Sequence, residues 1–219
     1  KLDFDQINIK MQEVLTNIIS AKAKELDPKL PSVLAAHVWV SGSQIGSEKS
    51  MTIGQEHVLL PSNVAHPAFD YIALGHIHRH QVLSHNPPVI YAGSLGRLDF
   101  GDEGDDKGFY LIEIEPDTET GKTQTTFEFH TVDGRRFITI NANIDPADTD
   151  PTATVLKAIA EQENGVSDSI VRLLISLPQE LEGQLRDGDI NSALAEAHYH
   201  TTTMDIRRES RLRLDSRSA

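Results

Sequence analysis

Three short, almost uninterrupted apolar runs constrain this chain more than anything else in it: Val33–Val40 (VLAAHVWV), Phe69–Leu74 (FDYIAL) and Val89–Ala92 (VIYA). Each is too short for a fully buried helix, rich in β-branched and aromatic residues, and bounded by Pro, Gly or Ser. Near-continuous hydrophobicity of this kind predicts strands covered on both faces. The fold therefore needs a sheet with something packed on each side. The first run carries His37 near its end, the second stops at Gly75 and is followed at once by His76-Ile77-His78, and the third ends in Gly93-Ser94.

Around these runs the spacing predicts a helix from Phe4 to Leu26, with apolar residues at Ile7, Met11, Val14, Leu15, Ile18 and Ile19, Asp3 or Asp5 as N-cap, and Pro28 and Pro31 to stop it. Of that face, Ile7, Met11, Val14 and Ile18 are expected to pack on the chain's own sheet, with a helix bundle between two copies as the alternative. Residues 41–66 read as a long Gly- and Ser-rich loop with at most a short strand around Glu56–Leu60, and 99–106 as an acidic glycine-rich loop. His80 and His85 read as exposed loop residues. Residues 108–115 and 123–132 alternate in strand fashion around the turn-forming stretch Asp117–Gly121, a β-hairpin. After Gly134 the texture changes to strand 137–144, helix 152–162, strand 170–177, helix 189–197 and strand 200–207. Two domains are expected, 1–134 and 135–219, the second a small βαβαβ-type unit. An Arg-rich stretch, Arg207–Arg217, follows and reads as a solvated last strand and tail, with a partner- or phosphate-binding stripe as the alternative.

Composition narrows the chemistry. With no Cys among 219 residues there is no disulfide framework, no thiolate zinc site and no thiol nucleophile, so a metal would have to be held by His and carboxylate. A formal charge of −13, from 20 Lys plus Arg against 33 Asp plus Glu, argues against nucleic-acid binding by bulk charge, though not against DNA reaching a local metal site. No apolar run approaches the ~20 residues of a membrane-spanning helix, and the first residues lack the pattern of a signal peptide. A cytoplasmic protein with no membrane partner is the expectation.

The sharpest local signal is Gly75-His76-Ile77-His78. Two imidazoles, two residues apart at the C-terminal end of a buried strand, can diverge toward neighbouring metals, and strand C-termini are where open α/β sheets place their sites. If the first two runs are adjacent strands, His37, 39 residues earlier, joins them. The competing readings are chance spacing in a chain with ten His and, for His37, a core histidine bonded to a backbone carbonyl. His57, His66, His130, His198 and His200 lack such a setting and read as structural or surface residues.

The segment FDYIALGHIHRHQ, preceded by SVLAAHVWVSGS and followed by VIYAGSLGRLDFGD and KGFYLIEI, resembles the C-terminal half of the SbcD-type DNA repair exonucleases, members of the calcineurin-like metallophosphoesterase superfamily. The resemblance covers residues 2–115 at the level of motifs and extends more weakly beyond. It implies an α+β chain: part of a metallophosphoesterase β-sandwich with a flanking helix, then a small capping domain that faces DNA. It also implies two divalent metal ions, usually manganese, with His37 and His76 on one and His78 on the other. Ser94, Gly96 and Arg97 are the implied contacts to a DNA phosphate, with a plain tight turn as the alternative. The implied partners are double-stranded DNA ends, an SbcC-type ATPase in the full-length protein and a second copy in a nuclease homodimer.

The earlier motifs of that family, Asp-x-His, a Gly-Asp-x-x-Asp whose carboxylate bridges the metals, and Gly-Asn-His, are not in place. Gly101-Asp102-Glu103-Gly104-Asp105 matches the second literally, but it follows the histidines instead of preceding them and reads as coincidence. With Lys1 as first residue, the expectation is the downstream part of a DNA exonuclease of double-strand-break repair, inactive as an isolated chain. The alternatives are a calcineurin-like phosphoesterase acting on small phosphate esters or nucleotides, and a non-catalytic DNA- or protein-binding module.

Overall fold

The structure, a computed structural model, describes residues 3–46, 58–116, 123–162 and 164–207. The turn at 117–121, His57 and the tail beyond Arg207 lie outside them. The chain is a mixed α+β protein in two compact units, Lys1–Gly134 and Arg135–Ala219.

In the first unit, helix α1 (Phe4–Lys24) starts at a capping box: Asp3 accepts from the Gln6 N–H at 2.8 Å, and Gln6 accepts from the Asp3 N–H at 3.3 Å. A four-stranded sheet follows, built from β1 (Val33–His37), β4 (Tyr71–Gly75), β6 (Pro88–Tyr91) and β5 (Gln81–His85) in that spatial order. The β1–β4 and β4–β6 pairs are parallel and β5–β6 is antiparallel. Short strands β2 (Trp39–Val40) and β3 (Val58–Leu59) pair in parallel, and a four-residue helix α2 (Pro61–Val64) follows them. The hairpin is β7 (Gly108–Pro116) with β8 (Thr123–Thr131).

Two sequence expectations fail here for one reason, the choice of neighbours. The run Val33–Val40 breaks after His37 into β1 and β2, and β1 is not buried on both faces. It is an edge strand, its residues alternate between exposed and half-buried, and Val33 is 54% exposed. Helix α1 turns Leu15, Ile19 and Ala23, followed by Leu26, toward the core cluster that also contains Leu59, Val64, Ile72 and Leu74. The stripe expected to pack inward is turned outward, with Ile7, Val14 and Ile18 all exposed. Strand β5 was not legible at all. Its sequence, QVLSH, carries only two apolar residues, and it forms because β6 offers an open edge.

Asp70 ties the start of the sheet together. It accepts from the Ser32 N–H at 2.7 Å and the Ser32 hydroxyl at 2.9 Å, and the Thr123 hydroxyl of β8 also donates to it. At the other side of the core, the Tyr91 hydroxyl accepts from the Val40 N–H at 2.9 Å and donates to the Val38 carbonyl at 2.7 Å. That bond pair closes the break between β1 and β2.

The second unit runs β9 (Phe137–Asn143), α3 (Pro151–Ala160), β10 (Ile170–Pro178), α4 (Asp187–Ala193), β11 (Tyr199–Arg207), with a 3₁₀ segment at Gln179–Gln184. All three strands are parallel in the order β11-β10-β9. Alternate residues of β10, Val171, Leu173, Ile175 and Leu177, form the core with Val155 and Ile159 of α3 and with Ile190 of α4. Asp150 caps α3 through the Ala153 N–H at 3.1 Å and is bridged by Arg186 at 3.2 Å.

Candidate functional site

Because β1 and β4 pair in parallel with His37 opposite Gly75, their C-terminal ends coincide. His37 is the last residue of one strand and His76 the first beyond the other. Their rings stand edge to face with centroids 5.3 Å apart. Gly75 makes this approach feasible, since a Cβ there would sit 3.0 Å from His37 Nδ1. His76 has φ 104, a conformation that costs a non-glycine residue energy and persists only where the surroundings over-determine it. Among the described residues, only Asp168 otherwise combines a side chain with positive φ.

After His76 the chain turns Ile77 into the core, at 2% exposure, and His78 follows. The His78 carbonyl accepts from the Ser94 N–H at 3.1 Å and from Lys107 Nζ at 3.0 Å. Gly93, with φ 78, lies so close to this loop that a Cβ would be 2.7 Å from the His78 oxygen and 2.8 Å from the His80 nitrogen. The structure thus brings His37 and His76 together. Among the described residues no group of three or more His, Asp or Glu side chains is arranged to hold a metal ion, so His78 does not complete a triad with them.

That donor set does not fit two divalent metals. Two neutral imidazoles supply no negative charge against four positive ones, and no described carboxylate stands beside them to bridge a pair of ions. His37 and His76 are at most part of such a site.

Ser94 and Arg97 are turned largely to the protein. The Ser94 N–H is committed to His78, its hydroxyl donates to the Gly96 carbonyl at 2.8 Å, and Arg97 Nη2 donates to the Asp105 carbonyl at 2.9 Å. Leu95 and Leu98, beside them, are the exposed members of that loop. The stretch Gly101–Asp105 is no metal motif. Asp102 and Asp105 are buried and paired with Lys107, while Asp102 also accepts from the Leu98 N–H at 3.0 Å. Sequence reasoning passed over Lys107, because nothing in the string DDKGF distinguishes a buried lysine from a solvated one.

The remaining histidines mostly lie against aromatic rings or acidic neighbours. His80 is not an exposed loop residue: its ring stacks on Phe129 with centroids 3.8 Å apart, and its Nδ1 lies 3.3 Å from the Tyr110 hydroxyl. His85 ends β5 against Phe127, and His130 lies over Phe109. His66 accepts from the Ala68 N–H, and His198 lies 3.8 Å from Asp168. Burial pushes the phenols of Tyr71 and Tyr91 up to about 12. No protein-family model matches the chain.

Proposed function

We propose that this chain is the downstream part of a metal-dependent phosphodiesterase of the SbcD type, which hydrolyses DNA from double-strand ends in the cytoplasm. The observation that carries the reading is the meeting of His37 and His76 at the ends of two adjoining parallel strands, with His76 held at positive φ. The motifs around GHIH supply the family. In the complete protein, carboxylates outside this stretch would share the metals, manganese first among them, with these histidines, and the chain by itself is inactive. The second unit serves as the capping domain, and an SbcC-type ATPase is the partner of the full-length nuclease.

A homodimer belongs to the same proposal. The outward residues of α1, Ile7, Val14 and Ile18, together with the half-buried Met11, repeat at alternating steps of four and three, the spacing of a two-helix seam. Antiparallel pairing of two copies sets the acidic first turn of each, with Asp3 and Asp5, against the basic last turn of the other, with Lys22 and Lys24.

The test is metal content and Mn²⁺-dependent digestion of linear duplex DNA, run on this chain and on a version extended upstream through carboxylate motifs. The expected result is two bound metals and cleavage in the extended protein alone, both abolished by His76→Ala. Cleavage by the 219-residue chain itself would show that no further carboxylate is needed. Turnover of mononucleotide esters without DNA cleavage would replace the nuclease by a small-ester phosphoesterase.

A further inference from the structure

Three ionisable side chains that the functional reading does not use are withdrawn from water together: Asp102, Asp105 and Lys107, at 0, 5 and 2% exposure. Burying an ammonium and two carboxylates is strongly unfavourable unless each is paired. Lys107 Nζ lies 3.2 Å from Asp102 Oδ1 and 3.8 Å from Asp105 Oδ2, two ion pairs, and donates a hydrogen bond to the carbonyl of His78 at 3.0 Å. The first two neutralise the charge. The third contributes nothing to charge balance and instead fixes one peptide plane of the loop that carries His76.

The same cluster grips that loop a second time. Asp105 receives the Arg79 guanidinium, Nη2 at 2.6 Å and Nε at 2.8 Å. On the other side of His76, the chain is held by the β1–β4 pairing, which runs to Gly75, while Ile77 in the core adds to the hold on the C-terminal side. The segment from Gly75 to Arg79 is therefore pinned on both sides of the one residue whose backbone is strained. Strain at φ 104 relaxes unless both flanks are fixed, and the C-terminal flank is fixed by Lys107, Ser94 and Asp105.

We propose that Lys107 is the positioning residue of the His37–His76 pair. It acts through the His78 carbonyl and, through Asp105, on Arg79, and so holds His76 in the left-handed conformation that sets its ring against that of His37. The geometry stands alone; its meaning for catalysis rests on the phosphodiesterase reading.

The experiment uses the full chain. Lys107→Met combined with Asp102→Asn removes one cation and one anion together and leaves Asp105 with Arg79. Asp102→Asn alone disturbs the ion cluster but keeps the bond from Lys107 to His78. Two readouts follow: the ring-to-ring nuclear Overhauser effect between His37 and His76, and amide hydrogen exchange over 76–80 relative to β7 and β8. The double variant is expected to lose the ring contact and to exchange about 10- to 100-fold faster over 76–80, with the hairpin unchanged. Asp102→Asn is expected to keep both. A folded double variant with the ring contact and exchange of the parent overturns the proposal, as does equal loosening by Asp102→Asn, which would make the cluster merely structural. Should the double variant not fold, Lys107→Gln carries the same readouts. In the upstream-extended protein the double variant should lower kcat on duplex DNA with KM unchanged. If that protein has no nuclease activity, the functional reading falls, and the ring contact and exchange still decide the role of Lys107.

Discussion

Replacing Tyr91 by Phe removes one oxygen atom and nothing else, so its cost can be worked from the contacts of that atom. The Tyr91 side chain is fully buried, as is Val40. Its hydroxyl accepts from the Val40 N–H at 2.9 Å and donates to the Val38 carbonyl at 2.7 Å, joining β6 to the break that follows His37. Phenylalanine keeps the ring packing but leaves one buried donor and one acceptor without partners, each worth about 1–3 kcal/mol. Val38 is only half-buried, so its carbonyl can recover part of its share from water. The expected loss is about 2–4 kcal/mol, nearer the lower figure. With a urea dependence of about 2 kcal/mol per molar, the midpoint should fall by ~1–2 M at unchanged slope. The assay is fluorescence of Trp39, the chain's single tryptophan, which lies between the two bonded residues and reports the first unit alone. That choice matters because two units need not unfold together. A Tyr91→Phe loss below about 0.5 kcal/mol would refute the reasoning, since it would mean that water reaches both backbone groups.

Further outcomes follow from the same structure. Burial raises Tyr71 and Tyr91 from 10.0 to about 12, so their contribution is complete below pH 10 and is lost as pH rises through 12; each should contribute on the order of 2–3 kcal/mol to that loss, and urea midpoints unchanged across this window would contradict it. Gly93→Ala forces a side chain into φ 78 and sets its Cβ 2.7 Å from a backbone oxygen, whereas Gly96→Ala meets nothing within 4 Å. The first should cost about 3 kcal/mol and the second almost nothing, and equal melting temperatures would show that the loop moves aside. Ile18→Glu, at a position 52% exposed, should leave stability unchanged while abolishing a dimer seen by sedimentation velocity, and a parent chain monomeric at every concentration would remove the α1 seam from the proposal.

The local part of this protein was legible in its sequence. Asp3, one of the two N-caps read from the sequence, starts α1, the helix expected at 152–162 is α3, the alternation on either side of residues 117–121 makes β7 and β8, and Gly75 followed by His76 ends a strand. Capping, turn chemistry and periodicity depend on residues within a few positions of one another, so the order of the chain contains them. Which neighbours those elements take was decided only in three dimensions. Parallel registration of β1 on β4 is what brings His37 to His76 across 39 residues, and the edge position of β1 is what leaves Val33 exposed. Helix α1 had two apolar stripes to offer, and the core of the first unit took the one containing Leu15 and Ile19. Lys107 finds Asp102 and Asp105 within its own loop, but the His78 carbonyl, 29 residues away, reaches it only in the folded chain. The β1–β4 pairing and the bond from Lys107 to the His78 carbonyl are interactions between residues distant in sequence, and their energies exist only once the chain has brought those residues together.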